Sequence, residues 1–250
     1  MPNDQKNNDE REMGFLDHLE ELRSRIVYSV LAILICSIVA GFFADFLVKV
    51  VLLGPMLAVG LKPQVLTPYG IMLTYMQVVL VVGIIGSMPI ILYQLWKFVA
   101  PGLLPHERKY AFRIVFFTTF CFLSGIVFAY FILVPTALTF FSTFGTDVFT
   151  LNIAINEYIS FMLSLILGAG LVFELPMITY FLSKFGIVTP KFMRKYRKHA
   201  IVIILVISAV ITPTPDMLTQ SLLAAPMIIL YEVSIFISMF AQRKPVQETE

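Results

Sequence analysis

The sequence predicts an all-α, polytopic membrane protein of six transmembrane helices, the last two short, with both termini on the cytoplasmic side. Three observations lead there. Hydrophobic residues make up 58% of the chain and charged residues 14%, with a mean hydropathy of +0.87, whereas soluble domains devote roughly a quarter of their residues to charge. The apolar residues form long uncharged runs suited to a hydrocarbon core about 30 Å thick. Sixteen of the eighteen Lys and Arg residues fall in alternate inter-run segments, the bias that orients helices in a membrane.

Residues 1–14, beginning MPNDQKNNDERE, are hydrophilic without periodicity and predict a disordered cytoplasmic tail. From Phe15 the pattern turns helical. Phe15, Leu16, Leu19, Leu22 and Ile26 share one face, and Asp17, Glu20, Glu21 and Ser24 share the other, as in an amphipathic helix along the membrane surface. Residues 15–242 then form a single integral domain. Ile26 to Ala44 supplies 19 uncharged residues, about 28 Å of helix and enough for span one. The next segment holds Gly54, Pro55, Pro63 and Pro68, is too broken for a straight helix and is placed outside the bilayer. Span two occupies residues 71–96, with a bend expected at Pro89 and with Trp96 beside Lys97 as an interfacial anchor.

Span three takes residues 114–134 and is closed by Pro135; span four takes 158–183 and contains Glu174. Beyond the basic stretch Lys191 to His199, Ala200 to Ile211 offers only 12 apolar residues before Thr212-Pro213-Thr214-Pro215-Asp216. That is about 18 Å of helix, so span five (200–211) stops short of the far surface, and span six (217–231) returns from the same shallow turn. Residues 243–250 form a second cytoplasmic tail. Lys and Arg number four before span one, four from Lys97 to Arg113, six from Lys184 to Lys198 and two in the C-terminal tail. The intervening loops hold only Lys49 and Lys62, which places both termini in the cytoplasm.

The composition excludes a disulfide framework, because Cys36 and Cys121 both lie in apolar runs and suit packing. His18, His106 and His199 are far apart at expected membrane edges, where solvation is the ordinary role of histidine. No nucleophile elbow, phosphate-binding loop or metal-ligand pair of carboxylates is present, so the reading is a non-enzymatic protein without cofactor, metal or nucleic-acid partner. Glu174 lies ten residues before Lys184, about 15 Å into the bilayer, where an ionised carboxylate costs about 2.5–3.5 kcal/mol and marks a functional contact. Thr212, Thr214, Asp216 and Gln220 cluster at the shallow hairpin, where polar backbone must border protein or water.

Four motifs stand in order along the chain: His18-Leu19-Glu20-Glu21-Leu22-Arg23-Ser24-Arg25; Tyr93-Gln94-Leu95-Trp96-Lys97-Phe98-Val99-Ala100-Pro101-Gly102-Leu103 with His106-Glu107-Arg108; Phe173-Glu174-Leu175-Pro176; and the Thr-Pro, Asp216, Gln220, Pro226-Met227 pattern. Each resembles the motif at the same topological place in the TatC family, the multispanning receptor subunit of the twin-arginine protein translocase. The match runs over residues 15–240. The resemblance implies a glove-shaped bundle of six helices in the bacterial cytoplasmic (inner) membrane. It implies binding of twin-arginine signal peptides at the cytoplasmic face and recruitment of single-span TatA/TatB-type partners. It also implies homo-oligomers within a lipid-embedded complex and export of folded proteins driven by the proton gradient. Glu21 and Glu107 correspond to the family's signal-recognition carboxylates. Arg23, Phe98 and the external-loop Pro55 match functionally important positions, Glu174 matches the mid-membrane glutamate, and Thr212, Asp216 and Gln220 match the C-terminal pattern.

The chemistry of two cytoplasmic carboxylates agrees with that role. Each can accept a bidentate guanidinium, and two such forks favour paired arginine over paired lysine. The rival reading is a proton-coupled secondary transporter with Glu174 as its intramembrane site, but the sequence shows no inverted repeat and no matched pair of interrupted spans.

Overall fold

The computed structural model describes residues 3–99, 111–143, 153–212 and 216–241, with side chains described for 19–98, 114–143, 153–212 and 216–241. In chain order the helices are α1 (Asn3–Phe42), α2 (Leu53–Ala58), α3 (Gly70–Val99), α4 (Ala111–Phe128), α5 (Val134–Thr143), α6 (Ile155–Val172), α7 (Leu175–Lys184), α8 (Pro190–Lys195), α9 (Arg197–Ile211) and α10 (Met217–Ala241). π-Helical segments, Leu47–Leu52 and Ala129–Leu133, lead into α2 and α5. Among the described residues, five segments are long and apolar enough to cross a membrane: Leu19–Phe42, Gly70–Phe98, Ile114–Thr143, Ile155–Lys184 and Met217–Ala241. Helix α9 has 15 residues, about 22 Å, and is the short fifth helix that the apolar run predicts.

Three boundaries differ from the sequence expectation. Helix α1 is continuous from Asn3, so residues 3–14, expected to be disordered, extend it. Glu, Arg and Met in DEREM are good helix formers, and propagating an existing helix is far easier than nucleating one. Pro135 does not close span three. The π-helical turn before it shifts the hydrogen-bond register, Pro135 enters the first turn of α5 where its missing N–H is tolerated, and the span runs on to Thr143. Span six does not end at Tyr231 and is not short, because α10 has 25 residues and keeps Ser234, Ile235, Ser238 and Ala241 buried in its last turns. Helix α3 passes through Pro89 as one continuous element.

By internal contacts the chain forms two units, residues 1–44 with 79–119 and residues 45–78 with 120–250. In the first, Ala32, Cys36 and Ala40 of α1 follow one another at one-turn spacing, and both alanines are buried. The crossing with α3 is close. A Cβ added at Gly83 would lie 2.8 Å from the Cα of Ser37, so only glycine fits, the small-residue packing that membrane helices use in place of a hydrophobic driving force. The apolar face of α1 formed by Leu31, Leu34, Ile35, Ile38 and Phe42 is exposed, which suits contact with lipid.

The second unit is built round α6, where 12 of 18 residues are buried. Phe122, Ile159, Met162, Leu165, Leu223 and Met227 fill its core. A Cβ on Gly125 would stand 2.6 Å from the Ala169 carbonyl oxygen, which sets the approach of α4 to α6. Helices α7 and α10 pack through small polar residues, with Ser183 Oγ 2.7 Å from Ser238 Oγ. Gly186, at φ +75°, ends α7 in the left-handed conformation that glycine adopts without strain. A parallel two-residue pairing of Pro63–Gln64 with Ile153–Ala154 ties two inter-span segments together.

Candidate functional site

The N-terminal motif falls on α1 and the Tyr93-to-Phe98 motif on the last turns of α3, and one side chain joins them. Arg25 donates from Nη2 to Glu21 Oε1 at 2.9 Å and from Nη1 to Gln94 Oε1 at 3.3 Å. Glu21 and Arg25 are one turn apart, so helical periodicity alone brings them together; Gln94 comes from the packing of α3. Glu21 keeps about a third of its side-chain surface exposed, at 32%. Arg23 is exposed and Phe98 is partly buried. Trp96 turns inward and is buried. Glu107 lies outside the described residues, as do His106, Arg108 and the Pro101-Gly102-Leu103 turn.

Glu174 sits at a break in span four. Helix α6 stops at Val172 and α7 starts at Leu175. Pro176 has no N–H for the Val172 carbonyl, which is a sufficient cause of the interruption. The Glu174 carbonyl accepts from Met177 N and Ile178 N at 3.0 and 2.9 Å, while its side chain is only 6% exposed and Oε1 is buried with no hydrogen-bond partner among the described residues. Phe173 beside it packs on Phe128, ring centroids 5.5 Å apart. A buried carboxyl oxygen without a donor is uncommon and costly.

The C-terminal cluster is put to local use. Asp216 Oδ1 accepts from Thr219 N at 2.6 Å, capping α10. Thr212 Oγ1 donates to Ser208 O at 2.9 Å, and Gln220 Nε2 donates to Leu205 O at 2.9 Å, fastening α10 to α9. Thr214 lies outside the described residues. Glu232 accepts from Arg197 Nη2 at 2.6 Å. Pro55 is within α2, and two tyrosines reach the carbonyls just before it: Tyr130 OH donates to Val51 O at 2.9 Å and Tyr158 OH to Leu52 O at 2.7 Å. Sequence reasoning missed Gln94, Tyr130 and Tyr158. The signal was there for the tyrosines, since a phenol in an apolar run needs a hydrogen-bond partner, but the partner is a backbone atom with no sequence mark.

The Sec-independent protein translocase protein (TatC) family profile matches residues 17–226. The chain belongs to the TatC family. A TatC of Carboxydothermus hydrogenoformans is 42% identical over 236 residues, covering 94% of this chain and 97% of that protein. The Aquifex aeolicus TatC is 38% identical over 236 residues, 93% of this chain and 97% of its own length. The Bacillus subtilis TatCy is 40% identical over 238 residues, 93% of this chain and 91% of its own. A crystal structure described as the twin arginine translocase receptor TatC superimposes with a TM-score of 0.81 at 37% identity, covering 90% of this chain and all of that one. The family resemblance carried by the four motifs therefore holds across the chain. TatC membership makes the protein a multi-pass component of the Tat translocase, and its all-α architecture is that of the solved TatC structures.

Proposed function

We propose that this chain is the receptor of its Tat translocase. It binds signal peptides bearing consecutive arginines at the cytoplasmic face through Glu21 and Glu107, with Arg23 and Phe98 beside them, and both termini are cytoplasmic. It assembles with further copies of itself and with single-span TatA/TatB-type subunits to export folded proteins using the proton gradient. The observation that carries the reading is that the Glu21 carboxylate, partly exposed at the polar end of span one, already takes a guanidinium hydrogen bond at 2.9 Å. A carboxylate that accepts one guanidinium hydrogen bond at this position is placed to accept a bidentate one from an incoming arginine. Glu174 receives a polar group of a partner helix or of the advancing signal helix, satisfying the buried Oε1. Thr212, Asp216 and Gln220 hold the α9–α10 hairpin that such helices approach, and Pro55 shapes the external segment.

Photo-crosslinking of a twin-arginine signal peptide to residues flanking Glu21 tests the receptor role. Adducts that vanish when the arginine pair is replaced support it. Adducts indifferent to the arginines would overturn it and favour a purely structural assembly role for the chain.

A further inference from the structure

Arg25 is held unlike an ordinary surface arginine. Its guanidinium bonds Glu21 on its own helix and Gln94 on α3. The side chain is 18% exposed, and its Nε is buried with no partner among the described residues. We infer that Arg25 is an intramolecular occupant of the Glu21 carboxylate which a signal-peptide arginine must displace, and that this competition sharpens the choice of arginine over lysine. The inference rests on the reading of Glu21 as a signal-binding group.

The geometry gives the reason. A bidentate fork uses both oxygens of a carboxylate, and Glu21 Oε1 is already bonded to Arg25. While Arg25 stays, an incoming guanidinium must share the remaining lone pair of Oε1 beside the Arg25 cation, and it gains an unhindered fork when Arg25 lets go. The grip of Arg25 is firm enough to select and weak enough to release. Its bond to Gln94 is 3.3 Å long, beyond the usual 2.9–3.0 Å for N–H···O. Desolvating Nε without a partner offsets part of what the other two bonds contribute. An arginine replaces guanidinium with guanidinium and one bond with two parallel ones. A lysine offers a compact ammonium with no planar fork, and must dislodge a better-matched group than itself. Without Arg25 the carboxylate would accept either cation with less distinction.

The test measures binding of a fluorescent synthetic signal peptide carrying Arg-Arg, and of its Lys-Lys counterpart, to the full chain in lipid nanodiscs at fixed salt. Arg25→Gln should tighten the Arg-Arg peptide by about two- to fivefold, the range spanned by partly exposed ion pairs, and the Lys-Lys peptide by more, so that the ratio between them narrows. Arg25→Lys, which keeps the charge but loses the fork to Glu21 and Gln94, should move both values the same way by less. Unchanged or weaker Arg-Arg binding in Arg25→Gln, or an unchanged ratio, overturns the inference. If that variant does not fold, Arg25→Lys decides by the same criterion. Glu21→Gln separates the two levels. Should it leave Arg-Arg binding intact, the signal-binding reading of Glu21 falls; should it weaken binding while neither Arg25 variant tightens it, only the competition falls.

Discussion

The hydroxyl of Tyr130 stands 2.9 Å from the carbonyl oxygen of Val51, and Val51 is the residue whose helical partner four positions on, Pro55, has no N–H to give. The tyrosine supplies the hydrogen bond that proline withholds. Tyr158, buried on α6, donates to the next carbonyl, Leu52. Two side chains distant in sequence thereby hold the π-helical segment Leu47–Leu52 and the entry to α2.

Tyr130→Phe leaves the Val51 carbonyl without its donor, and the loss of a partner by a part-buried group costs about 1–3 kcal/mol. The melting temperature in detergent should fall. Pro55→Ala in that background restores an N–H and should recover part of the loss. Identical melting of Tyr130→Phe and the parent would show that the bond does not hold the segment.

Asp45, beyond the end of span one, accepts from the Tyr75 hydroxyl at 2.6 Å and pairs with Lys49 at 3.1 Å. The hydrogen bond from Tyr75 first, and Lys49 second, hold its carboxyl below the usual carboxylate range. The sign follows: a carboxyl with a lowered folded value favours the native state fully above about pH 3.9 and loses that contribution as pH falls through the lowered value. Tyr75→Phe should raise the Asp45 midpoint toward the ordinary one in a carbon-detected NMR titration. A midpoint that stays put would assign the whole effect to Lys49.

Glu21→Ala or Glu107→Ala should leave the protein folded and inserted while weakening a paired-arginine signal by about 1.5–3 kcal/mol per lost charge-assisted contact. Glu21 forms a partly exposed pair within one helix, and such pairs contribute little to stability. Calorimetric peptide binding beside thermal melts checks both halves. Parental affinity in both variants would end the receptor reading.

Glu174→Gln keeps shape and hydrogen-bonding capacity, so export should persist in large part. Glu174→Ala should lose contact with partner helices while still binding the signal peptide. Export assays with partner cross-linking distinguish this from proton-coupled turnover, because glutamine cannot titrate. Equal and complete loss of export in both variants with partner contact intact would refute the contact role.

The charge bias predicts that a cysteine placed at Lys195 is labelled only from the cytoplasmic side by a membrane-impermeant maleimide. Labelling from outside in intact cells would reverse the topology.

Span positions and the short α9 were legible because hydropathy and length are properties of a single segment, and a bilayer of known thickness reads them directly. Glu21 and Arg25 could be placed together in the same way, since one helical turn is a local rule. Glu174 stood out by its depth, whereas the break beside it at Pro176 was not read from the sequence, where span four is expected as one helix. The end of α10 was hidden because Glu232 interrupts the apolar sequence after Tyr231, although Val233 to Ala241 is uncharged and its turns are buried, as at Ser238 with Ser183. Pro135 misled because a π-helical turn can absorb a proline and leaves no mark in composition. The meeting of Arg25 with Gln94, and of Tyr130 with the Val51 carbonyl, was decided only by tertiary structure. Hydrogen bonds across 69 and 79 residues depend on where packing sets whole helices, and one of the acceptors is a backbone atom that every residue type shares.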